Sequence, residues 1–169
     1  TEVSRPGYYE VMLNDYGIKA QLTTTPRVGI HKYTFPADKA EQRIVLDLIH
    51  GIYNYDGKVL WSSLRVENDT LITGYRITNG WARVNYTYFA IAFSKPVVHY
   101  GSVEKAKVNY KGGYAKFNMS ENFPDIGGRK IVAYFDFDPK DSKELEVKVA
   151  LSGVSTEGAL KNLKAEALG

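Results

Sequence analysis

The sequence predicts an all-β protein, an antiparallel two-sheet β-sandwich with one short C-terminal helix. Three observations predict it. Gly, Asn, Asp and Pro recur at short intervals along the chain, as the turns of a sheet protein require. The runs between them favour pleated surfaces, with 13 Tyr, 7 Phe and 2 Trp beside many β-branched residues. Only the stretch from Thr156 to Ala167 reads as a convincing helix. Many short strands followed by one late helix make a sandwich.

The elements follow in order. Tyr8 to Leu13 and Ile18 to Thr24 form a hairpin across Asn14-Asp15-Tyr16-Gly17. Val28 to Phe35 stops at Pro36, which has no N–H to give a ladder. Asp38 to Gln42 reads as a helical turn. Arg43 to His50 is nearly continuous in apolar character, which predicts a central strand. Asp56-Gly57 turns the chain tightly between Ile52 to Tyr55 and Val59 to Val66. Asn68-Asp69 makes the next turn, before Thr70 to Thr78. Trp81 to Phe93 reads as one long strand ended by Pro96, with Trp81 in the core because Gly80 and Ala82 suggest tight packing around a large ring. Val97 to Tyr110, Tyr114 to Met119, Lys130 to Phe137 and Glu144 to Leu151 complete the strands, with Gly112-Gly113 and Gly127-Gly128 as turns. In the last strand Val147, Val149 and Leu151 alternate with Lys148 and Ala150, giving one apolar face. Gly153 breaks it, Ser155 or Thr156 caps the helix, and Glu157 lies near its positive end.

With 169 residues and no linker or repeat, residues 1–169 read as a single domain. A chain of this length buries roughly 70% of its extended surface. No apolar run approaches the ~20 residues of a membrane helix. Thr1 to Arg5 lack the features of a signal peptide, as a domain cut from a longer protein would. Zero cysteine excludes disulfides and thiol catalysis, and a net charge of +3 is too small to imply a nucleic-acid partner.

Each candidate chemistry has a plain structural alternative. Asp136 and Asp138, two apart on a strand, share a face about 7 Å apart, a spacing that suits the roughly 6.5–9.5 Å of an inverting glycosidase pair. Asp136-Phe137-Asp138-Pro139-Lys140-Asp141 nevertheless reads better as a strand running into a turn. Those three carboxylates are too few to chelate calcium, and His31, His50 and His99 lack metal-ligand spacing. No catalytic residue and no metal site is assigned. Lys105, Lys107, Lys111 and Lys116 with Tyr110 and Tyr114 fit a solvated hairpin better than a nucleic-acid groove. Asn68, Asn85 and Asn118 open sequons, two of them inside expected strands. Tyr53, Tyr55 and Trp61 cluster around the Asp56-Gly57 turn and are the candidates for stacking on a sugar or touching a partner domain.

Three segments carry a family resemblance. The first is Pro6-Gly7-Tyr8-Tyr9-Glu10-Val11 followed by Gln21-Leu22-Thr23-Thr24-Thr25-Pro26-Arg27-Val28-Gly29-Ile30-His31-Lys32-Tyr33-Thr34-Phe35-Pro36. The second is Asn79-Gly80-Trp81-Ala82, then Tyr88-Phe89 and Phe93-Ser94-Lys95-Pro96. The third is the closing run from Lys148 to Glu166. Together they resemble the N-terminal domain of glycoside hydrolase family 92, the calcium-dependent α-mannosidases. Thr24 stands where the family usually has Ala, and Gln21 where it often has an acid. The family's upstream Gly-rich and His-containing motifs are missing.

The resemblance implies a large sandwich of the carbohydrate-active-enzyme type and an extracytoplasmic parent that hydrolyses α-mannosides or N-glycans with inversion. The parent's acid, base and calcium would belong to a downstream helical catalytic domain, leaving this chain inactive and without a cofactor of its own. His31, Leu160 and Leu163 are the candidates for that domain interface. Upstream strands missing from the chain would leave a sheet edge open for dimerisation. The alternatives are an autonomous carbohydrate-binding module and a structural or interaction domain without ligand.

Overall fold

The computed structural model describes residues 1–37, 41–53, 55–102 and 124–167. Twelve strands and one helix lie within them. They are β1 (Glu2–Arg5), β2 (Tyr8–Leu13), β3 (Ile18–Thr24), β4 (Val28–Thr34), β5 (Gln42–Asp47), β6 (Val59–Asn68), β7 (Leu71–Thr78), β8 (Asn85–Phe93), β9 (Val97–Ser102), β10 (Asp125–Gly128), β11 (Val132–Phe137), β12 (Glu144–Ser152) and α1 (Thr156–Ala167). Nine strands form one antiparallel sheet in the order β1-β2-β3-β4-β12-β8-β7-β6-β10, and β5-β11-β9 form the other. The architecture is the expected all-β sandwich with one C-terminal helix.

Alternation divides the core. Phe89, Ile91 and Phe93 of β8, Leu145 and Val147 of β12, Ile72 of β7 and Leu64 of β6 face the small sheet, where they meet Ala133, Phe135 and Phe137 of β11. Leu64, Ile72 and Leu145 lose all contact with water, worth about 1.5–3 kcal/mol each. Gly74 of β7 sits under the Phe89 ring, and a Cβ there would lie 2.5 Å from Phe89 Cζ and 2.2 Å from the Ser63 carbonyl oxygen. The opposite face of β4, β12 and β8 carries Val28, Ala150 and Ala90, small enough to let Ala159 and Leu163 of α1 pack down on them.

The helix is tied at both ends. Of its two candidate caps Ser155 serves, its Oγ accepting from the Gly158 N–H at 3.0 Å. At the far end Glu166 accepts from the Thr25 hydroxyl, the Arg27 guanidinium and, at 3.0 Å, the Arg27 amide. Lys148 Nζ donates to the Ala167 carbonyl at 2.9 Å.

The structure adds one strand to the sequence reading and corrects three of its readings. Glu2–Arg5 is a strand, joined to β2 by a two-residue turn in which Gly7 has φ +76°. Pro6-Gly7 is the pair such a turn requires. Gly127-Gly128 is not a turn but part of β10, paired with Ser63 and Ser62. Arg43 to His50 is not a central strand: β5 is an edge, and only its Gln42, Ile44 and Leu46 side turns inward while Arg43, Val45 and Asp47 face water. Its apolar run belongs to a strand with one buried face, not two. Trp81 is fully exposed rather than core, because β8 begins only at Asn85 and the ring projects from the bends before it.

Gln42 opens β5 and Glu41 before it is not helical, while the rest of the expected turn at 38–40, Asn54, the Tyr114 to Met119 strand, Gly112-Gly113, the basic stretch from Lys105 to Lys116 and Asn118 lie outside the described residues.

Candidate functional site

The region of Tyr53, Tyr55 and Trp61 divides into two places. Tyr55 lines a cleft of about 450 Å³ at the end of the sandwich, with Asp56, Lys58, Arg129 and Lys130. Its hydroxyl donates to Asn79 Oδ1 at 2.6 Å. Lys58 reaches back to the Ile52 and Tyr53 carbonyls and stands 5.9 Å from the Tyr55 ring centre. The cleft therefore has a fixed aromatic wall and an excess of positive charge. Tyr53 projects into solvent, 86% exposed, on a left-handed backbone with φ +59° that costs a non-glycine residue about 1–2 kcal/mol. Trp61 does not line this cleft. A bulge between Val59 and Trp61 sets its ring on the other side of the long sheet, against Gly127.

His31 lies on β4, half-buried, its Nδ1 2.9 Å from the Tyr33 hydroxyl. Burial pushes its pKa down, so the ring is neutral at pH 7. Leu163, 1% exposed, and the half-buried Leu160 pack against this chain's own sheet through α1.

Asp136 and Asp138 do not form an acid and base pair. Asp136 is gripped by Arg43 through two bonds, at 2.6 and 2.9 Å, and by His99 Nδ1 at 3.1 Å. Partial burial pushes its pKa up, but the bonds from Arg43 and His99 outweigh that and hold the carboxyl ionised. Asp138 instead receives the Lys140 amide in a turn. Arg43 also lies over the Tyr134 ring at 4.5 Å, completing a cluster drawn from β5, β9 and β11 that no local motif announces. It borders a second cleft of about 430 Å³, whose described lining includes no serine, threonine or tyrosine to act as nucleophile beside His99 and Asp136. Among the described residues no group of three or more His, Asp or Glu side chains converges as a metal site. No helix among them is long and apolar enough to cross a membrane.

All three of the sequence's motif segments prove to be contact points. Thr25 and Arg27 hold Glu166, joining the first segment to the last. In the second, Lys95 is buried at 6% exposure and donates to Gln42 Oε1 and to the Ser142 and Asp138 carbonyls. These motifs hold sheet to helix and sheet to sheet.

The description of the glycosyl hydrolase family 92 N-terminal domain matches residues 1–152. The chain belongs to that family. It is similar to the family 92 α-mannosidase BT3965 of Bacteroides thetaiotaomicron, at 33% identity and a TM-score of 0.80, over 98% of this chain and 21% of that one. It is similar also to the inverting mannosidase BT2199 of the same species, at 27% identity and a TM-score of 0.73, over 99% of this chain and 20% of that one. A family 92 glycosyl hydrolase, ccman5, shares the fold at 22% identity and a TM-score of 0.76, over 98% of this chain and 22% of that one. The chain thus spans about a fifth of the length of these solved relatives. No curated protein matches it.

Proposed function

We propose that this chain is the non-catalytic sandwich portion of a calcium-dependent, inverting α-mannosidase acting outside the cytoplasm on α-1,2-linked mannosides of N-glycans. In this reading it packs on a helical catalytic domain and shapes the entrance of the substrate cleft, while the acid, the base and the calcium come from that domain. One observation carries the reading: mannosidases of solved structure match 98% of this chain, yet only 21% of their own length is used in doing so. The state of Asp136 agrees with it, since an ionised carboxylate already matched by Arg43 and His99 is a poor general acid.

The test is release of mannose from α-1,2-mannobiose. The 169-residue chain should release none, with or without calcium, while the polypeptide its gene encodes should release it and stop on chelation. Calcium-dependent release by the 169 residues overturns the reading.

A carbohydrate-binding module is the second reading, favoured by the Tyr55 wall of the basic cleft and by the exposed Trp61 ring. Saturable heat on titrating the 169 residues with mannobiose, abolished by Tyr55→Ala or Trp61→Ala, would establish it. Pairing of two copies along an open sheet edge such as β1 is read by light scattering at high concentration.

A further inference from the structure

One end of the sandwich gathers cations that the chain does not neutralise. The cleft of about 450 Å³ there is walled by Ile49 after β5, by Tyr55, Asp56 and Lys58 leading into β6, and by Arg129 and Lys130 between β10 and β11. Three cations thus share one carboxylate. Elsewhere Arg27, Arg43 and Arg65 each meet an Asp or Glu at 3.0 Å or less. In the cleft Lys58 Nζ donates to neutral carbonyls instead, those of Ile52 at 2.5 Å and Tyr53 at 2.8 Å. The side chains of Arg129 and Lys130 are exposed and meet no acid among the described residues. Next to this wall Arg76 repeats the pattern. Its guanidinium donates to the His50 carbonyl at 2.8 Å and the Ile49 carbonyl at 3.1 Å, and its Nε is buried with no partner among the described residues. Asp47 accepts the Ile49 and His50 amides at 2.7 and 3.0 Å, so the loop carrying Ile49 is pinned by both its carbonyls and its amides. Tyr55 is fixed as well, by its hydroxyl bond to Asn79. The cleft is therefore preformed, which spares a ligand the cost of ordering it.

We propose that this cleft binds a sugar that carries an oxyanion, as a uronic acid or a sugar sulfate does, with its ring on Tyr55 and its anion between Lys58, Arg129 and Lys130. The proposal deepens the binding-module reading and does not depend on the catalytic one. Four observations choose the ligand. Clustered cations without acids of their own concentrate anions, and a bound anion relieves their mutual repulsion, which a neutral mannoside cannot do. Arg129 offers a planar fork suited to a carboxylate or a sulfate, and Lys58 and Lys130 add point charges. Lys58 Nζ stands 5.9 Å from the Tyr55 ring centre, so one sugar can lie on the ring while its charged substituent reaches the ammonium. A concave site of this volume with one fixed ring is scaled to a small molecule, whereas a nucleic-acid strand uses a longer groove and a row of rings. Membership of a glycosyl hydrolase family then selects a sugar over a peptide as the carrier of the anion. The second cleft, where Asp136 already matches Arg43 and Glu41 and Asp138 stand by, lacks the positive excess and is no part of the site.

Calorimetric titration of the polypeptide as its gene encodes it tests the proposal. The probes are glucuronate and glucose 6-sulfate, with glucose as the neutral control and sodium acetate and sodium sulfate as the free ions. At least one acidic sugar should give saturable heat that weakens as salt is added. Whichever binds identifies the anion as carboxylate or sulfate. Arg129→Gln with Lys130→Gln should lower its affinity about tenfold or more, because two charge-assisted contacts are lost. Both side chains are exposed, so melting should not shift. Tyr55→Leu should lower the affinity several-fold. No heat from either acidic sugar, equal heat from glucose, or binding unaltered in the double Gln variant overturns the proposal. A free ion binding as tightly as its matching sugar would mean an adventitious ion only, and tighter binding of hexaglutamate would assign the cleft to an acidic peptide; either result overturns it. Heat from mannobiose that Tyr55→Leu abolishes, with none from the acidic sugars, keeps the module reading and sinks this one. The mannosidase reading is judged apart, by release of mannose from neutral mannobiose, which the double Gln variant should leave unchanged.

Discussion

Replacing Lys95 by methionine probes the end of the sandwich where the two sheets are tied together. Lys95 follows β8 in the turn to β9 and is 6% exposed. Its Nζ donates to Gln42 Oε1 at 2.5 Å, to the Ser142 carbonyl at 2.8 Å and to the Asp138 carbonyl at 3.2 Å. Burial lowers its pKa, and the nearby Asp141 and Asp138 oppose that fall. Methionine fills the same volume with no donor. The Ser142 carbonyl keeps its bond from Gln42 Nε2 at 2.9 Å, so the group left without a donor is Gln42 Oε1, on a residue 2% exposed. An orphaned buried oxygen costs about 1–3 kcal/mol, and two further charge-assisted bonds are lost. Against this stands the relief of the lysine's own desolvation. We expect a net loss of about 3 kcal/mol. For a domain of this size that lowers Tm by roughly 6–12 °C. Urea unfolding followed by far-UV circular dichroism measures it. Gln42→Leu alone removes Oε1 and the Nε2 bond to the Ser142 carbonyl, which Lys95 still holds, and a double-mutant cycle with Lys95→Met should show the two side chains coupled by about 1–2 kcal/mol. A Lys95→Met protein within about 0.5 kcal/mol of the parent refutes the reasoning, as does a cycle that shows no coupling.

Four further outcomes are expected. Gly74→Ala should cost about 3 kcal/mol or more, because its methyl meets the Ser63 carbonyl and the Phe89 ring; a soluble variant with an unchanged urea midpoint would contradict the packing. His31 has its pKa lowered by burial, so its contribution is complete above the unfolded value of about 6.5 and is lost as pH falls below it. His31→Gln should flatten the stability profile between about pH 7 and 5, and an unchanged slope would assign that loss to other groups. Glu166→Gln should speed amide exchange in the last turns of α1 and leave β8 unaffected, since Glu166 holds that end to Thr25 and Arg27. Tyr53→Gly should raise stability by up to about 1 kcal/mol by relieving its left-handed backbone, and a loss by calorimetry would point to an unseen contact of the ring.

The sequence by itself determined the fold class, the hairpin of β2 and β3, the strands ended by prolines, the one helix and the family. Each rests on local chemistry: the period of apolar residues, the turn dipeptides, and the serine that caps α1. What it left open depended on partners far away in the chain. Gly127-Gly128 has the composition of a turn, and only the neighbouring β6 makes it a strand. The apolar run of β5 does not say how many of its faces are covered. Trp81 sits in a motif that suggested packing, yet the start of β8 at Asn85 leaves it outside. The candidate site shows the same division. Tyr53, Tyr55 and Trp61 are close in sequence, but one bulge in β6 sends Trp61 to the far face, where Tyr75, Tyr86 and Tyr88 join it from other strands. Arg43, His99 and Asp136 come together only because β11 lies between β5 and β9. A short window of sequence sets which way a side chain alternates, whereas strand order and register decide what stands beside it.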